Sequence, residues 1–256
     1  MTAGTGAPSL GAIGVVVQVR LGSTRLAGKA LLPLGGATMT DQVLARLSLV
    51  PAAVHAVATD EASARDLEPI AARHSFDLVV GPTEDVLARY CMAIRRFGLD
   101  RVIRATGDNP LVNHELARAL VEWAAAEAAA GRELPDYAAY TDLPLGMGVE
   151  FVSARALLRA ESEARAKDER EHVCPYLYRH PETFRITRPE PPSGWSFPAG
   201  RVTVDTPGDY EAMLRLYGAL YAGAPIASST VLGFLRGGVT AADGTVRTEG
   251  SAGGGA

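Results

Sequence analysis

Residues 13–29 read IGVVVQVRLGSTRLAGK, an apolar run that passes into a basic loop containing two glycines. The apolar run predicts a buried strand, and a strand that ends in such a loop is a common phosphate-binding arrangement. Lys29 is one of only two lysines in a chain that otherwise uses arginine. Because a lysine ammonium is a compact point charge, we interpret Lys29 as a contact for phosphate oxygens. A solvated surface loop is the alternative.

Apolar segments and helical periodicities alternate from residue 13 to residue 221. This alternation predicts an α/β fold with a mostly parallel sheet and helices on both faces. The predicted strands cover residues 13–19, 54–59, 78–80, 102–106, 149–152 and 202–204. The predicted helices cover residues 40–49, 62–74, 84–97, 114–130, 154–166, 169–179 and 209–221. We expect one domain over residues 13–236, and disorder in the small-residue-rich ends 1–12 and 237–256.

The composition is that of an ordinary globular protein, with 47% hydrophobic residues and a formal net charge of −4. The acidic balance argues against general nucleic-acid binding, which requires a basic surface. No apolar stretch has the length of a membrane span and no signal-peptide pattern is present, so we expect a cytoplasmic protein without a membrane partner. Cys91 and Cys174 lack metal-ligand spacing, which predicts buried, reduced thiols.

Two aspartates follow predicted strands at positions where metal ligands are common. Asp108 comes after the strand at 102–106, and Asp205 comes after the strand at 202–204. Ligands of open α/β sheets bind beyond the carboxyl ends of the strands. If both strands run parallel in one sheet, both carboxylates reach the edge at which the basic loop opens. Two carboxylates and phosphate oxygens form a suitable partial shell for Mg²⁺. Asp108 alone could equally be a turn former.

Other polar residues at strand ends have structural explanations. Thr206, Pro207 and Asp209 have the pattern of a capping box with proline at the first helical position, so Asp209 is predicted to be structural. Asp60 could be either the N-cap of the following helix or a ligand contact. His172 belongs to the charged stretch DEREH, and such stretches are usually solvated helix faces.

These segments resemble the cytidylyltransferases that activate acidic sugars, such as the CMP-KDO and CMP-sialic acid synthetases. The resemblance is greatest to their spore-coat polysaccharide, or SpsF-like, branch. It extends over nearly the whole chain between residues 13 and 221, and the matching segments fall in the family's order. Those segments are residues 18–29, 81–90, 104–111, 136–137, 170–173 and 202–210.

The resemblance implies a Rossmann-like nucleotide-diphospho-sugar transferase fold. It implies a Mg²⁺-dependent transfer of CMP from CTP to a small acidic or sugar acceptor, with release of pyrophosphate. Family members are often homodimers, and the apolar segment 231–235 could serve an interface or pack on its own core. The site residues implied are Arg20, Arg25 and Lys29 for catalysis; Gln18, Ser23, Thr24, Thr59, Asp60 and Arg104 for the nucleotide; Glu150, Arg170, Glu171 and His172 for the acceptor; and Asp108 and Asp205 for Mg²⁺.

The chain departs from the family pattern at two places. Ala27 stands where the family loop usually has proline, and residues 143–150 stand where SpsF-like proteins usually carry Pro-Asp-Gly. Two other functions stay open. One is a glycosyltransferase of the same fold, although Asp108-Asn109-Pro110 offers one carboxylate rather than an Asp-x-Asp pair. The other is a catalytically silent module that binds a nucleotide or nucleotide-sugar.

Overall fold

The structure, a computed structural model, describes residues 10–23 and 25–237. Thr24 and most residues of the two ends that we expect to be disordered lie outside this range. At the start of the described part, the Ala12 amide donates to the Asp100 carboxylate at 2.8 Å. The strands of this part are β1 (Ile13–Gln18), β2 (Pro33–Leu34), β3 (Ala37–Thr38), β4 (Val54–Asp60), β5 (Asp77–Gly81), β6 (Arg101–Thr106), β7 (Tyr137–Ala138), β8 (Glu150–Ser153) and β9 (Ile186–Thr187).

The helices occupy the connections between these strands and the C-terminal part of the fold. A short 3-10 turn at Lys29–Leu31 follows β1. The α-helices of the described residues are α1 (Met39–Leu47), α2 (Glu61–Arg73), α3 (Val86–Phe97), α4 (His114–Ala129), α5 (Ala154–Glu163), α6 (Lys167–His172), α7 (Pro175–Arg179), α8 (Pro207–Leu220) and α9 (Ser228–Gly237).

One sheet of seven strands, in the order β5-β4-β1-β6-β8-β7-β9, forms the centre of the protein. Strands β5, β4, β1 and β6 are parallel, whereas β8 is antiparallel to both β6 and β7. Side chains of β1 alternate between two hydrophobic clusters: Val16 packs towards α3 and α5, and Val15 and Val17 pack towards α1, α2 and α4. The predicted α/β class, with a mostly parallel sheet covered on both faces, is therefore confirmed.

The prediction of a strand at residues 202–204 is wrong. This segment forms no ladder with the sheet, and its neighbour Arg201 makes only an isolated bridge to Leu145. Val202 and Val204 are apolar for another reason, since both are buried in a third hydrophobic cluster with α8 and α9. A short apolar run therefore indicates burial here without indicating strand pairing.

The prediction of one helix over residues 169–179 also needs correction. The chain breaks between α6 and α7 at Val173, whose φ is +73°. The Cys174 amide donates to the carbonyl oxygen of His172 at 2.9 Å, which closes a tight three-residue turn. Pro175 is the first residue of α7. Because proline has no amide hydrogen, it cannot continue α6, but it is tolerated at the first position of a new helix.

The C-terminal helix α9 packs on its own chain. Val231 and Leu232 are buried beside Ile226 in the third cluster. These two residues therefore belong to the core of their own chain and not to an interface. Both cysteines are buried and free. Burial raises the pKa of Cys91 to about 12, which keeps that thiol protonated at neutral pH. None of the helices within the described ranges combines the length and the apolar character that crossing a membrane requires.

Arg46 fixes α1 to the C-terminal part of the fold. Only 1% of this residue is exposed. Its guanidinium donates to the carbonyl oxygens of Val112 and Ile226, both at 2.6 Å, and to the hydroxyl of Ser228 at 3.1 Å. Burial lowers the pKa of Arg46. These bonds join α1, the start of α4 and the start of α9.

We expect Arg46→Met to lower the free energy of unfolding by about 2 kcal/mol or more, because two buried carbonyl oxygens lose their donors. Urea denaturation of the purified variant measures this loss. Arg215→Met is the matched control, since Arg215 lies exposed on α8 and its replacement removes the same charge. Equal stability of the two variants would show that the Arg46 bonds do not hold the C-terminal part in place.

Candidate active site

A cleft of about 530 Å³ opens where β1 and β6 end. The loop after β1, the loop after β6 and the N-terminal turn of α3 form its walls, together with the end of α6. Many of the residues predicted from the sequence meet here. Those that line the cleft are Gln18, Arg20, Ser23, Arg25, Lys29, Arg104, Asp108, Glu171 and His172.

Two glycines shape the loops of the cleft. Gly28 immediately precedes the turn that begins at Lys29 and has φ +61°, a left-handed conformation that glycine adopts readily. Gly107 donates its amide to the Gln18 carbonyl oxygen at 2.8 Å. A Cβ atom at Gly107 would lie 2.5 Å from a methyl group of Val19. The loop after β6 can therefore pack directly on the end of β1 only with glycine at this position.

Lys29 lines the cleft and only 9% of it is exposed. Its ammonium donates to Asp108 Oδ2 at 3.0 Å, to Asp205 Oδ1 at 3.1 Å and to the Val204 carbonyl oxygen at 2.8 Å. An ammonium has three protons, and all three are used. The two predicted metal ligands, Asp108 and Asp205, therefore lie close together. Their contacts with Lys29 bring them together, and not a position on two parallel strands of one sheet.

Asp205 is surrounded by positive charge. Its Oδ1 also accepts from Arg25 at 3.0 Å, and its Oδ2 accepts from Arg201 at 3.1 Å. The Asp209 carboxylate accepts the Asp205 amide at 3.0 Å and completes the capping box of α8 with Thr206. The predicted capping role of Asp209 is confirmed, and the same carboxylate fixes the backbone of Asp205.

The carboxylate oxygens at the cleft fit a divalent cation that binds together with phosphate. Within residues 10–23 and 25–237, no group of three or more His, Cys, Asp or Glu side chains is arranged to hold a metal. The pair Asp108 and Asp205 is nevertheless sufficient for Mg²⁺, which commonly binds one or two carboxylates and completes its shell with phosphate oxygens and water.

The end of α6 forms the wall opposite Lys29. Arg20 donates to Glu171 at 3.3 Å, and its side chain is 35% exposed. Arg170 faces away from the cleft. It donates to Asp85 at 2.9 Å and to the Glu161 carbonyl oxygen at 2.6 Å. Because Asp85 is the N-cap of α3, Arg170 joins α6 to α3, and the structure does not bring it together with the other predicted acceptor residues.

Thr59 and Asp60 lie behind the cleft wall rather than in it. They are 0% and 3% exposed, respectively, and neither lines the cleft. The Asp60 carboxylate accepts the Ser63 amide at 2.9 Å and is the N-cap of α2, which is the structural alternative considered for it. The Thr59 hydroxyl is buried without a hydrogen-bond partner.

A buried polar network closes the other end of the cleft. Arg104 donates to the amide oxygen of Gln18 at 3.2 and 2.9 Å and forms an ion pair with Glu150. Glu150 also accepts from the Tyr137 hydroxyl at 2.9 Å. Burial works to lower the pKa of Arg104, but the adjacent Glu150 carboxylate outweighs burial and the pKa is raised. Burial, followed by Glu150, raises the pKa of the Tyr137 hydroxyl.

A second cavity of about 330 Å³ adjoins the main cleft and shares Arg104, Thr106 and Asn109 with it. Glu150 lines this second cavity. The Asn109 amide oxygen is buried between the two cavities and has no hydrogen-bond partner. Gly146, with φ +98°, permits the tight approach of this wall, since a Cβ atom there would lie 2.9 Å from the Thr203 backbone nitrogen.

Arg89 is a cleft residue to which sequence reasoning gave no role. It is 1% exposed and donates to the carbonyl oxygens of Pro82 and Thr83 at 2.9 and 3.1 Å. Its Nε atom is buried without a partner, and burial lowers the pKa of its guanidinium. The only sequence signal for Arg89 was its place in the family-like segment 81–90, which does not reveal that the side chain turns into the cleft wall.

The sequence is similar to those of known proteins over most of its length. The sequence profile of the cytidylyltransferase family matches residues 14–222. The spore coat polysaccharide biosynthesis protein SpsF of Bacillus subtilis is 32% identical over 215 residues, which cover 79% of this chain and 85% of that protein.

Two solved structures have a similar fold. A cytidylyltransferase from Leptospira borgpetersenii superposes with a TM-score of 0.76 at 26% identity, over 86% of this chain and 91% of that one. A CMP:2-keto-3-deoxy-manno-octonic acid synthetase complexed with CTP has a TM-score of 0.59 at 18% identity, over 81% of this chain and 99% of that one.

We expect Glu150→Gln to lower the free energy of unfolding by about 3 kcal/mol, because it leaves the buried Arg104 charge without a carboxylate partner. Chemical denaturation measures the loss, with Glu68→Gln on the exposed face of α2 as the matched control. The double variant Arg104→Met, Glu150→Leu should recover much of the stability, since it removes both charges together. A single variant as stable as the control would contradict the buried ion pair.

Proposed function

The chain belongs to the cytidylyltransferase family, and we propose that it transfers CMP from CTP to a small sugar or acidic acceptor, with Mg²⁺ as its metal. Pyrophosphate is the leaving group, and the product serves the synthesis of a surface polysaccharide or another glycan. One observation supports this proposal above the others. Lys29, two carboxylates and two further arginines, Arg20 and Arg25, converge on one cleft at the end of β1.

The reaction that we propose is an attack of an acceptor oxygen on the α-phosphorus of CTP. The bond from this phosphorus to the bridging oxygen breaks, and pyrophosphate departs. Arg20, Arg25 and Lys29 would stabilise the negative charge that develops on the phosphate oxygens, and the loop after β1 would hold the triphosphate in line. Asp108 and Asp205 would hold Mg²⁺, which supplies further neutralisation of phosphate charge. No covalent enzyme intermediate is needed.

The two cavities suit the two substrates. The main cleft contains the cationic loop and is the natural place for the triphosphate. The second cavity adjoins it at Asn109, so we assign it to the acceptor. Its lining offers a hydrogen-bond acceptor in the Glu150 carboxylate, which would bind hydroxyl groups.

The other two functions are less well supported. A glycosyltransferase of this fold usually holds its metal with an Asp-x-Asp pair, whereas the second carboxylate here, Asp205, comes from a distant segment. A catalytically silent nucleotide-binding module has no need for the complete set of Lys29, Asp108 and Asp205. Pyrophosphate release separates the three functions, because only nucleotidyl transfer from a triphosphate produces it.

The test is a pyrophosphate-release screen in which the four nucleoside triphosphates are each combined with Mg²⁺ and a panel of acidic and neutral sugars. We expect release that depends on both CTP and an acceptor. A nucleoside triphosphate other than CTP as the preferred substrate would contradict the assigned nucleotide. Stabilisation by CTP without any turnover over a broad panel would favour the silent module.

We expect Lys29→Ala to lower turnover by about 10²- to 10³-fold, the usual effect of removing one charged contact to the transition state. Steady-state kinetics under the conditions of the screen measures this loss. Lys167→Ala is the matched control, since Lys167 is the only other lysine and its side chain is 77% exposed. Near-normal turnover of the Lys29 variant would remove the role assigned to that residue.

We expect Asp108→Asn and Asp205→Asn each to raise the Mg²⁺ concentration that gives half-maximal rate by about tenfold or more, because each loses one carboxylate ligand. A Mg²⁺ titration of the rate measures the shift, with Asp66→Asn on the exposed face of α2 as the control. Unchanged titrations in both variants would show that the paired carboxylates are not the metal site.

A further inference from the structure

The ammonium of Lys29 fills the position between the two carboxylates that we assign to the metal. The nitrogen lies 3.0 Å from Asp108 Oδ2 and 3.1 Å from Asp205 Oδ1, and the Val204 carbonyl oxygen accepts its third proton. Only 11% of the Lys29 side chain is exposed, so water can replace little of this hydrogen bonding. In this arrangement a single ammonium is already paired with both carboxylates.

A divalent cation bound by the same two oxygens would have to enter the space that the ammonium fills. Two positive charges at such close range repel strongly, and the low exposure of Lys29 limits screening by solvent. The cation could bind only if the ammonium moved away. In the described part of the chain, the side-chain partners of Lys29 are these two carboxylates, so other negatively charged oxygens would have to come from a ligand.

The triphosphate of the nucleotide supplies such oxygens. It would enter the cleft beside Arg20 and Arg25, and Arg25 donates to the same Asp205 oxygen as Lys29 does. Phosphate oxygens can take the ammonium of Lys29 and the guanidinium of Arg25 together. Asp108 and Asp205 would then be released for a metal that arrives on the phosphates.

We infer that this site takes its divalent cation as a metal–nucleotide complex and excludes the free ion, because Lys29 occupies both carboxylates until the triphosphate draws its ammonium away. This inference rests on the proposed function, which supplies the metal and the triphosphate. It adds an order to binding: the nucleotide releases the metal ligands, and the metal does not prepare the site for the nucleotide.

Lys29 is the group that excludes the ion, rather than the arginines beside it. Arg25 and Arg201 also contact Asp205, but their side chains are 68% and 48% exposed and solvent screens their charge. Neither arginine has a hydrogen bond or ion pair to Asp108 among the contacts of the described residues. Among the residues that the structure describes, Lys29 alone joins the two carboxylates.

The test measures Mn²⁺ binding to the nucleotide-free protein from the electron paramagnetic resonance signal of the free ion. Lys29→Met keeps the length and the apolar stem of the side chain but removes its charge. We expect this variant to bind Mn²⁺ about tenfold more tightly than the wild-type protein or better. Arg201→Met is the matched control, and it should change the Mn²⁺ affinity much less. Circular dichroism checks that each variant is folded.

A non-hydrolysable CTP analogue completes the experiment. In the wild-type protein the analogue should raise the affinity for Mn²⁺ well beyond its effect in Lys29→Met, because that variant no longer has an ammonium to displace. The double variant Lys29→Met, Asp108→Asn should lose the tighter Mn²⁺ binding, since it lacks one of the two ligands.

Each outcome decides between the inference and its premise. Equal Mn²⁺ affinity of nucleotide-free wild-type protein and Lys29→Met overturns the exclusion of the free ion and leaves the metal site intact. No Mn²⁺ binding by either protein, with or without the analogue, removes the carboxylate pair as a metal site, and both the metal assignment and the inference fail. Tighter binding by Lys29→Met that depends on Asp108 supports both.

Discussion

The ion pairs of Lys29 with Asp108 and Asp205 are the interaction on which the rest of the cleft depends. They join three segments that are far apart in the sequence: the loop after β1, the loop after β6 and the turn before α8. Two carboxylates at such short range would repel each other without a cation between them. Lys29 therefore sets the shape of the site before any substrate enters, and the sheet beneath it supplies the rigid edge from which two of the three segments start.

The fold could be predicted where local pattern and tertiary role coincide. The continuous apolar run of β1 predicts a strand, and the structure shows why, since consecutive side chains such as Val15 and Val16 enter hydrophobic clusters on opposite faces of the sheet. Residues 202–204 have a similar apolar pattern with a different cause, because they pack on α8 and α9 without pairing. The break at Val173 was equally hidden, since nothing in a helical periodicity reveals a positive φ.

The sequence predicts which residues belong to the site better than it predicts the contacts that they make. The sequence places chemistry-bearing residues at strand ends, but it does not show which partner each side chain finds. Arg170 and Glu171 are adjacent in the sequence, yet one pairs with Asp85 outside the cleft and the other meets Arg20 inside it. Asp108 and Asp205 do meet, although residues 202–204 do not form the second parallel strand that would have placed both carboxylates at one edge. The ion pairs of both carboxylates with Lys29 bring them together instead.

The cationic side chains of this cleft differ in how far they are buried and paired. The guanidinium of Arg104 is already paired with Glu150 and Gln18, and its side chain is only 12% exposed. Lys29 is buried too, but its partners are carboxylates that a metal can take over. Arg20 and Arg25 lie furthest out, with side chains 35% and 68% exposed. An incoming polyanion therefore meets the exposed arginines first. In the mechanism that we propose, a ligand that carries both phosphate and metal would satisfy the lysine and the two carboxylates together.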